Sequence, residues 1–347
     1  MRPKKMEDVA RLAGVSTATV SRVLNNPELV SDDTRQRVAD AIRQLDYRVN
    51  LAARSLRTNQ TRTIAVVLPT IADPVINRMV EAVEDVAITA GYTLLLCSTR
   101  GDAAREQTYI ELLTQQTVAD GVLYISPRAT PENVLALDQG GIPLVLCNYL
   151  VDRESVPCLL LDHVSSIYQT TAHLLALGHR RIALLNLAAP YYYPARMRLE
   201  GFIRAYAEAG LEPDPSLCVE IDQPTYANDD WYAAIDHLLG RADRPSAIVA
   251  FNDEVALEVY AVCRERGLRI PHDLSVTGCD DILSSRYLEP PLTTVSVPAT
   301  EQGKRAVRAL LKRLARPHSR IPHETRLPVE LVVRGSTAAV GPGVPDA

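Results

Sequence analysis

No apolar run in this sequence approaches the roughly 20 residues needed to span a bilayer; the longest are of strand length. A membrane partner is therefore not expected. No secretory h-region opens the chain either, because Met1–Arg11 is charged and amphipathic, and the expectation is a cytoplasmic protein. Cysteine is sparse and unpatterned. Cys97, Cys147, Cys158, Cys218, Cys263 and Cys279 form no C-x-x-C pair, which points to isolated buried thiols in a reducing compartment rather than zinc or a disulfide framework. Also missing are G-x-G-x-x-G, the Walker loop, G-x-S-x-G and H-E-x-x-H. No catalytic residue, cofactor or metal is expected on those grounds.

What is present divides unevenly along the chain. At 347 residues it is too long for one compact core, and two or three domains are expected. The net charge of −5 conceals an asymmetry. Residues 1–62 hold 12 Lys/Arg and 7 Asp/Glu, a balance of +5, and the remaining 25 basic and 35 acidic residues give −10. A basic module on an acidic body suits a nucleic-acid reader whose body is kept off the phosphates.

The stretch Met6–Asn26, MEDVARLAGVSTATVSRVLNN, reads as two short amphipathic helices joined by a turn at Gly14. The first runs about Met6–Ala13 with Val9, Leu12 and Ala13 inward, and Gly14 supplies the permissive backbone at its end. Ser16 is a good N-cap for the second. On that second helix Val20, Val23 and Leu24 share one side, and Thr17, Ala18, Ser21, Arg22 and Asn25 share the other. A third helix after Ser31 carries Val38, Ala41, Ile42 and Leu45 at i, i+3, i+4 and i+7. Three stripes suffice for a small core. A plain helical bundle explains them, but not the hydroxyl-rich outer face of the second helix or the local positive charge. Next, Asn50–Leu56 is helix-competent but too short to hold a helix alone in water, as a conditional linker would be.

The pieces DVARLAGVSTATVSRVLN, VSDDTRQRV and AARSL resemble the DNA-binding headpiece and hinge of the lactose-repressor (LacI/GalR) family of bacterial regulators. The resemblance runs through nearly the whole chain to about Ser336, and several stretches look like the cytidine-regulator branch. It implies base contacts from Thr17, Ala18 and Arg22, the last able to bond a guanine bidentately. It implies phosphate contacts from Ser16, Thr19, Ser21, Asn25, Ser31, Thr34 and Tyr47. In the hinge it implies minor-groove entry by Ala53 and Leu56, with Leu56 as the wedge that kinks the duplex and Arg54 beside the backbone.

From Thr63 the texture changes to strand–helix alternation. Ile64–Leu68 is a buried run, Asp73-Pro74 opens a helix, and further strands are expected at Thr93–Cys97, Gly121–Ile125, Leu144–Cys147, Cys158–Leu161, Ile182–Asn186, Leu217–Ile221, Ala247–Phe251, Leu274–Gly278 and Thr294–Val297. Such alternation implies parallel sheets covered by helices, with a ligand at the strands' C-terminal ends between two lobes. The resemblance implies the same periplasmic-binding-protein-like architecture with three crossovers, near 162, 291 and 320–330. The expected layout is an all-α helix-turn-helix domain over 1–49, a hinge helix and linker over 50–62, and an α/β two-lobed body over 63–335. Its N-lobe takes about 63–161 plus 291–322 and its C-lobe about 162–290 plus 323–335. A disordered tail, rich in small residues and Pro/Gly, follows over 336–347.

Polar groups that follow strand ends are the candidate ligand contacts: Asp162, Asn252 and Asp280, with Arg196 at the start of a later helix. The resemblance raises Arg196, Asn252 and Asp280 to effector contacts, makes Asp253 a capping or lobe-closing residue and leaves Arg198 structural. Val75 and Ile76 stand where the family often has stacking aromatics. Tyr193, with Tyr191 and Tyr192, is a candidate for the pocket mouth. The expected protein is a homodimeric repressor reading a near-palindromic double-stranded DNA operator, controlled by a sugar or nucleoside effector. A two-lobed solute receptor, or an enzyme acting on a sugar or nucleoside, is the alternative. The absence of apolar heptads near the C-terminus favours a dimer over a tetramer. Arg22→Ala should cost about 1–3 kcal/mol on its cognate duplex and leave non-cognate affinity nearly intact. Fluorescence anisotropy on the two duplexes measures both, and equal losses would reduce Arg22 to a phosphate contact.

Overall fold

The computed structural model describes residues 4–25, 27–47, 60–116, 118–125, 130–188, 193–221, 229–316 and 319–340. The chain separates into two compact units, Met1–Thr61 and Arg62–Ala347. The hinge residues Ala53, Arg54 and Leu56 lie outside the described residues, as do Tyr191 and Tyr192.

The first unit holds α1 (Met6–Ala13), α2 (Thr17–Asn25) and α3 (Asp32–Leu45). Gly14 takes a left-handed φ of 65° and returns its N–H to Ala10 and Arg11. The Ser16 hydroxyl accepts the Thr19 N–H at 3.1 Å, capping α2. Val9, Ala10, Ala13, Val20, Val23, Val38 and Ala41 form the core, with Ile42, Leu45 and Tyr47 packed around it. Leu12 departs from its expected inward place: it is 46% exposed and Ala10 is buried instead. At 100° per residue, positions 9, 10 and 13 fall within one arc and position 12 falls outside it.

The second unit opens with β1 (Thr63–Leu68), α4 (Pro74–Thr89), β2 (Thr93–Ser98), α5 (Ala103–Gln115), β3 (Gly121–Tyr124), α6 (Pro131–Gln139), β4 (Leu144–Cys147) and β5 (Cys158–Leu161). A second series follows: α7 (His163–Ala176), β6 (Ile182–Leu187), α8 (Tyr193–Glu208), β7 (Cys218–Ile221), α9 (Asp229–Leu239), β8 (Ala247–Ala250), α10 (Asp253–Arg266), β9 (Ser275–Asp280) and β10 (Thr293–Ser296). The chain closes with α11 (Ala299–Ala315), β11 (Glu324–Leu327) and β12 (Glu330–Val332). Two six-stranded sheets result, in the orders β11-β5-β4-β3-β1-β2 and β12-β10-β9-β8-β6-β7. Pairing is parallel throughout except between β10 and β12. Strands such as β1, β3, β4 and β8 are buried on both faces and read as unbroken apolar runs.

The two later lobe boundaries move from their expected places. β10 pairs with β9 (Thr293↔Thr277) and therefore belongs to the C-lobe sheet. α11 packs Ala306, Val307 and Leu310 into the N-lobe core, and β11 pairs with β5 (Glu324↔Cys158). The chain thus crosses near 162, between Ser296 and Ala299, and between Leu327 and Glu330. Leu161, Cys279, Val295, Val297 and Leu327 form a small apolar core at these crossings. The tail also departs from expectation over 336–340. Buried Ser336 donates its hydroxyl to the Val276 carbonyl at 2.6 Å, Ala338 N–H reaches Ser275 Oγ at 3.1 Å, and Val340 N–H reaches the Leu177 carbonyl at 3.1 Å. These bonds hold a segment whose composition alone predicts disorder. Residues 341–347 lie outside the described residues.

Helices α7 and α8 cross at Gly201, where an added Cβ would sit 2.2 Å from the Val164 carbonyl oxygen. Glycine to alanine in a helix interior is ordinarily stabilising by about 1 kcal/mol. Here Gly201→Ala should instead destabilise the C-lobe by about 1–3 kcal/mol, because the close approach leaves no room. Urea denaturation of wild type and variant reads the sign directly.

Candidate functional site

The face expected to read DNA belongs to α2 and its flanks. Thr17, Ala18 and Arg22 are exposed, opposite the buried Val20 and Val23. Of the expected phosphate-contacting hydroxyls, Ser16 and Thr19 pair at 2.9 Å, and Ser31 donates to Thr34 at 3.0 Å. Both pairs sit at helix starts, where hydroxyl and N–H donors collect beside a positive dipole end. Ser21 is half-buried, Tyr47 packs on the core, and the Asn25 side chain lies outside the described residues.

In the body, strand C-termini from both sheets converge on one cleft. It is lined by Pro69, Asp73, Val75, Ile76, Ile125 and Asn148 from the N-lobe side of the chain. Leu161 and His163 line it at the first crossing, and Leu187, Pro194, Arg198, Phe251, Asn252 and Asp280 from the C-lobe. The cleft volume is about 80 Å³. Asp73 caps α4, accepting Val75 N–H at 2.7 Å and Ile76 N–H at 3.2 Å. Asn252 caps α10 through Oδ1, which accepts Val255 N–H at 2.9 Å, so its amide nitrogen is the group left for a ligand. Asp280 ends β9 with a φ of 117° and Asp281 follows at 47°, a pair of backbone conformations that non-glycine residues rarely adopt. The turn lets the Asp280 carbonyl accept Arg78 Nη2 across the lobes at 2.8 Å.

The electrostatics are those of crowded, dehydrated groups. Burial raises the Asp280 carboxyl well above the usual range, Asp73 and Asp253 add to it, and Arg198 and Arg78 oppose it. Burial also pushes Asp253 up to about 7 and Glu254 up to about 7, the latter with help from Asp73 and Asp253. Burial, then Arg198 and Arg326, hold the His163 imidazole well below its usual range, so the ring is neutral. Arg78 Nε, His163 Nε2, Arg198 Nε and Glu254 Oε2 are buried without a hydrogen-bond partner. Orphaned polar atoms around one cleft are what a ligand or ordered water would satisfy. Among the described residues no group of three or more His, Cys, Asp or Glu could hold a metal.

The expected effector residues separate into two groups. Asn252, Asp280, Val75 and Ile76 come together on the cleft lining. Arg196, Asp162 and Tyr193 do not line it. Arg196 is exposed with its guanidinium 5.8 Å from the Tyr193 ring centre. Asp162 caps α7 through Ser165 N–H at 3.0 Å. Tyr193 is buried in the N-lobe core edge-on to Tyr149, with Arg326 Nη2 at 3.4 Å from its hydroxyl. The cleft arginine is Arg198, stacked 5.0 Å over Phe251. Positions 196 and 198 differ by about 200° around α8, and Arg198 shares the arc of buried Ala195, Gly201, Phe202 and Ala205. Asp253 accepts Ile282 N–H at 2.9 Å and the Thr294 hydroxyl, stapling α10 to the loop after β9.

Comparison with known proteins places the chain in a family. Residues 5–50 match the model of bacterial regulatory proteins of the lacI family, and 171–337 match a periplasmic binding protein-like domain. The HTH-type transcriptional repressor PurR of Glaesserella parasuis is 37% identical, covering 95% of this chain and 97% of that repressor. The chain belongs to the lacI family of bacterial regulatory proteins. Among solved structures, the lac repressor dimer bound to operator and the anti-inducer ONPF is similar at a TM-score of 0.84 and 28% identity, over 97% of this chain and 100% of that one. The complex of the regulator CelR with cellobiose follows at 0.73 and 32%, over 96% and 99%. As a member of this lacI family, the protein is a DNA-binding transcriptional regulator under small-molecule control. No helix among the described residues is long and apolar enough to cross a membrane.

The raised carboxyls carry a pH signature. Asp253 and Glu254 hold protons more tightly folded than unfolded, so their cost to stability grows as pH rises from the ordinary carboxylate range towards about 7. Glu254→Gln should therefore raise the melting temperature more at about pH 8 than at about pH 5. A gain independent of pH would mean that Glu254 is ionised throughout.

Proposed function

We propose that this lacI-family protein is a homodimeric, cytoplasmic repressor whose operator affinity is set by an uncharged, hydroxyl-rich ligand of the sugar class held between the lobes. The observation that carries this reading is the cleft's donor set. Two carboxyl groups, two carboxamides and a neutral imidazole surround one arginine, a lining that serves hydroxyls as donors and acceptors and gives an anion a single positive partner. The face of Phe251 is taken by Arg198, and Val75 and Ile76 offer no ring for a nucleobase to stack on.

In this reading Asp280 and Arg198 hold the ligand from the C-lobe, and Asp73, Asn148, Val75 and Ile76 close on it from the N-lobe. Thr17, Ala18 and Arg22 read base edges, and Ser16, Thr19, Ser21, Asn25, Ser31, Thr34 and Tyr47 anchor phosphates. Ala53, Arg54 and Leu56 form the minor-groove hinge. Two copies read two half-sites because a two-fold dimer imposes its symmetry on the operator. Ligand and operator affinities are linked reciprocally through the angle between the lobes. Binding involves no catalytic step. The lac repressor bound to an anti-inducer and CelR bound to cellobiose are relatives that take small ligands, which supports the class.

A thermal-shift screen of the full chain against pentoses, hexoses, disaccharides, nucleosides and sugar phosphates tests the ligand class. An uncharged sugar should raise the melting temperature, and Asp280→Asn or Arg198→Ala should abolish the shift. A shift produced only by sugar phosphates or only by nucleosides would overturn the sugar assignment. Anisotropy on a duplex selected from a random library then shows whether the hit changes DNA affinity.

A further inference from the structure

The body as a whole is acidic, yet residues 302–323 contain seven Lys/Arg and no carboxylate. These are Lys304, Arg305, Arg308, Lys312, Arg313, Arg316 and Arg320, on α11 and the turn after it. α11 buries Ala306, Val307 and Leu310, so the cations occupy its outer side, and Arg308, Lys312, Arg316 and Arg320 are exposed. None of those four forms an ion pair with a described residue, whereas many arginines elsewhere in the body are matched: Arg204 with Glu208, Arg266 with Asp236 and Arg269 with Asp273.

The lower end of this stripe has a definite place. The strands of the N-lobe sheet run parallel, so their first residues, Thr63, Thr93, Gly121, Leu144 and Glu324, lie towards one edge of it, with Glu324 stepped inward to the level of Val67. Arg313 donates to the Leu144 and Ser155 carbonyls, and Lys312 Nζ donates to the Arg320 carbonyl at 3.0 Å, which brings the end of α11 to that same edge. Arg62 is there too, its N–H on Asp120 at 3.0 Å. The carboxylates at the edge are already engaged: Asp120 by Arg62, Asp138 by Arg153 at 2.7 Å, and Glu324 by Arg326. Glu154 is exposed beside Ser155. Helix-dipole stabilisation accounts for Lys312, Arg313 and the C-cap residue Arg316, but not for Arg320 beyond it.

This is also the edge from which the chain runs back, through Arg62, to the unit that reads DNA. The 15 residue-to-residue steps from Tyr47 to Arg62 span at most about 54 Å even fully extended, so DNA held by the first unit is present at high effective concentration. We propose that the Lys312, Arg316 and Arg320 edge of the N-lobe is a second DNA-contacting surface that binds phosphates without reading sequence. The body then adds to affinity and to its salt dependence while specificity stays with α2.

The test is fluorescence anisotropy of the full chain on a non-cognate duplex of about 40 base pairs, titrated between about 50 and 200 mM salt. The triple variant Lys312→Gln, Arg316→Gln, Arg320→Gln should reduce the slope of log affinity against log salt by about 2–3, which is roughly 0.9 for each phosphate that the protein no longer neutralises. A charge-matched triple on the C-lobe, Arg204→Gln, Arg264→Gln, Arg269→Gln, should leave the slope at its wild-type value. Arg316→Gln alone should lower it by about one, which keeps the test valid if the triple melts early. An unchanged slope in the edge variants overturns the proposal and would leave the edge to an acidic protein partner. Equal reductions in both triples also overturn it, because they would show only the long-range field of the body.

Discussion

Dehydrated carboxyl groups where two sheets end face to face are the constraint that the rest of this molecule answers. Asp73, Asp253, Glu254 and Asp280 come together at the N-termini of α4 and α10 and the end of β9, with Arg78 and Arg198 as the opposing charges. Buried charge is expensive unless paired and hydrogen-bonded. The structure meets that cost locally through helix caps at Asp73 and Asn252, the staple from Asp253 to Ile282 and Thr294, and the Arg78 bond across the lobes. It does not meet it completely. Buried atoms of Arg78, His163, Arg198 and Glu254 still lack partners, and of these His163 and Arg198 line the cleft.

The lobes are tied by three strands of chain over a small apolar core. Tyr193, carried by the C-lobe helix α8 into the N-lobe core, adds a further contact between them. Arg62 is where β1 receives the chain from the first unit. The basic edge around Lys312 and Arg320 lies at this same end of the N-lobe.

Much of this was legible in sequence where neighbours along the chain decide the outcome. The α2 face, the Gly14 turn, the Asp73-Pro74 helix start and most strands follow from periodicity and capping chemistry alone. Arg198 was legible too, by its phase with Gly201, Phe202 and Ala205 on α8, a stronger signal than its neighbour Arg196 at the helix start. Leu12 was misplaced because a helix of eight residues is too short for its stripe to be read without the partners it packs on.

What the sequence determined by itself is local. It contains a helix with one apolar and one polar face, a basic module before an acidic body, and two series of buried strands with polar groups at their ends. Tertiary structure decided everything that depends on which distant segments share hydrogen bonds. It assigned Thr293–Ser296 to the C-lobe and Glu324–Leu327 to the N-lobe through ladders to β9 and β5, and it held residues 336–340 against the C-lobe sheet. It also buried Asp280 and brought Asp73, far along the chain, within its field, so that burial first and then that proximity raise the carboxyl. Backbone partners and burial are long-range properties, and no spacing along the chain encodes them.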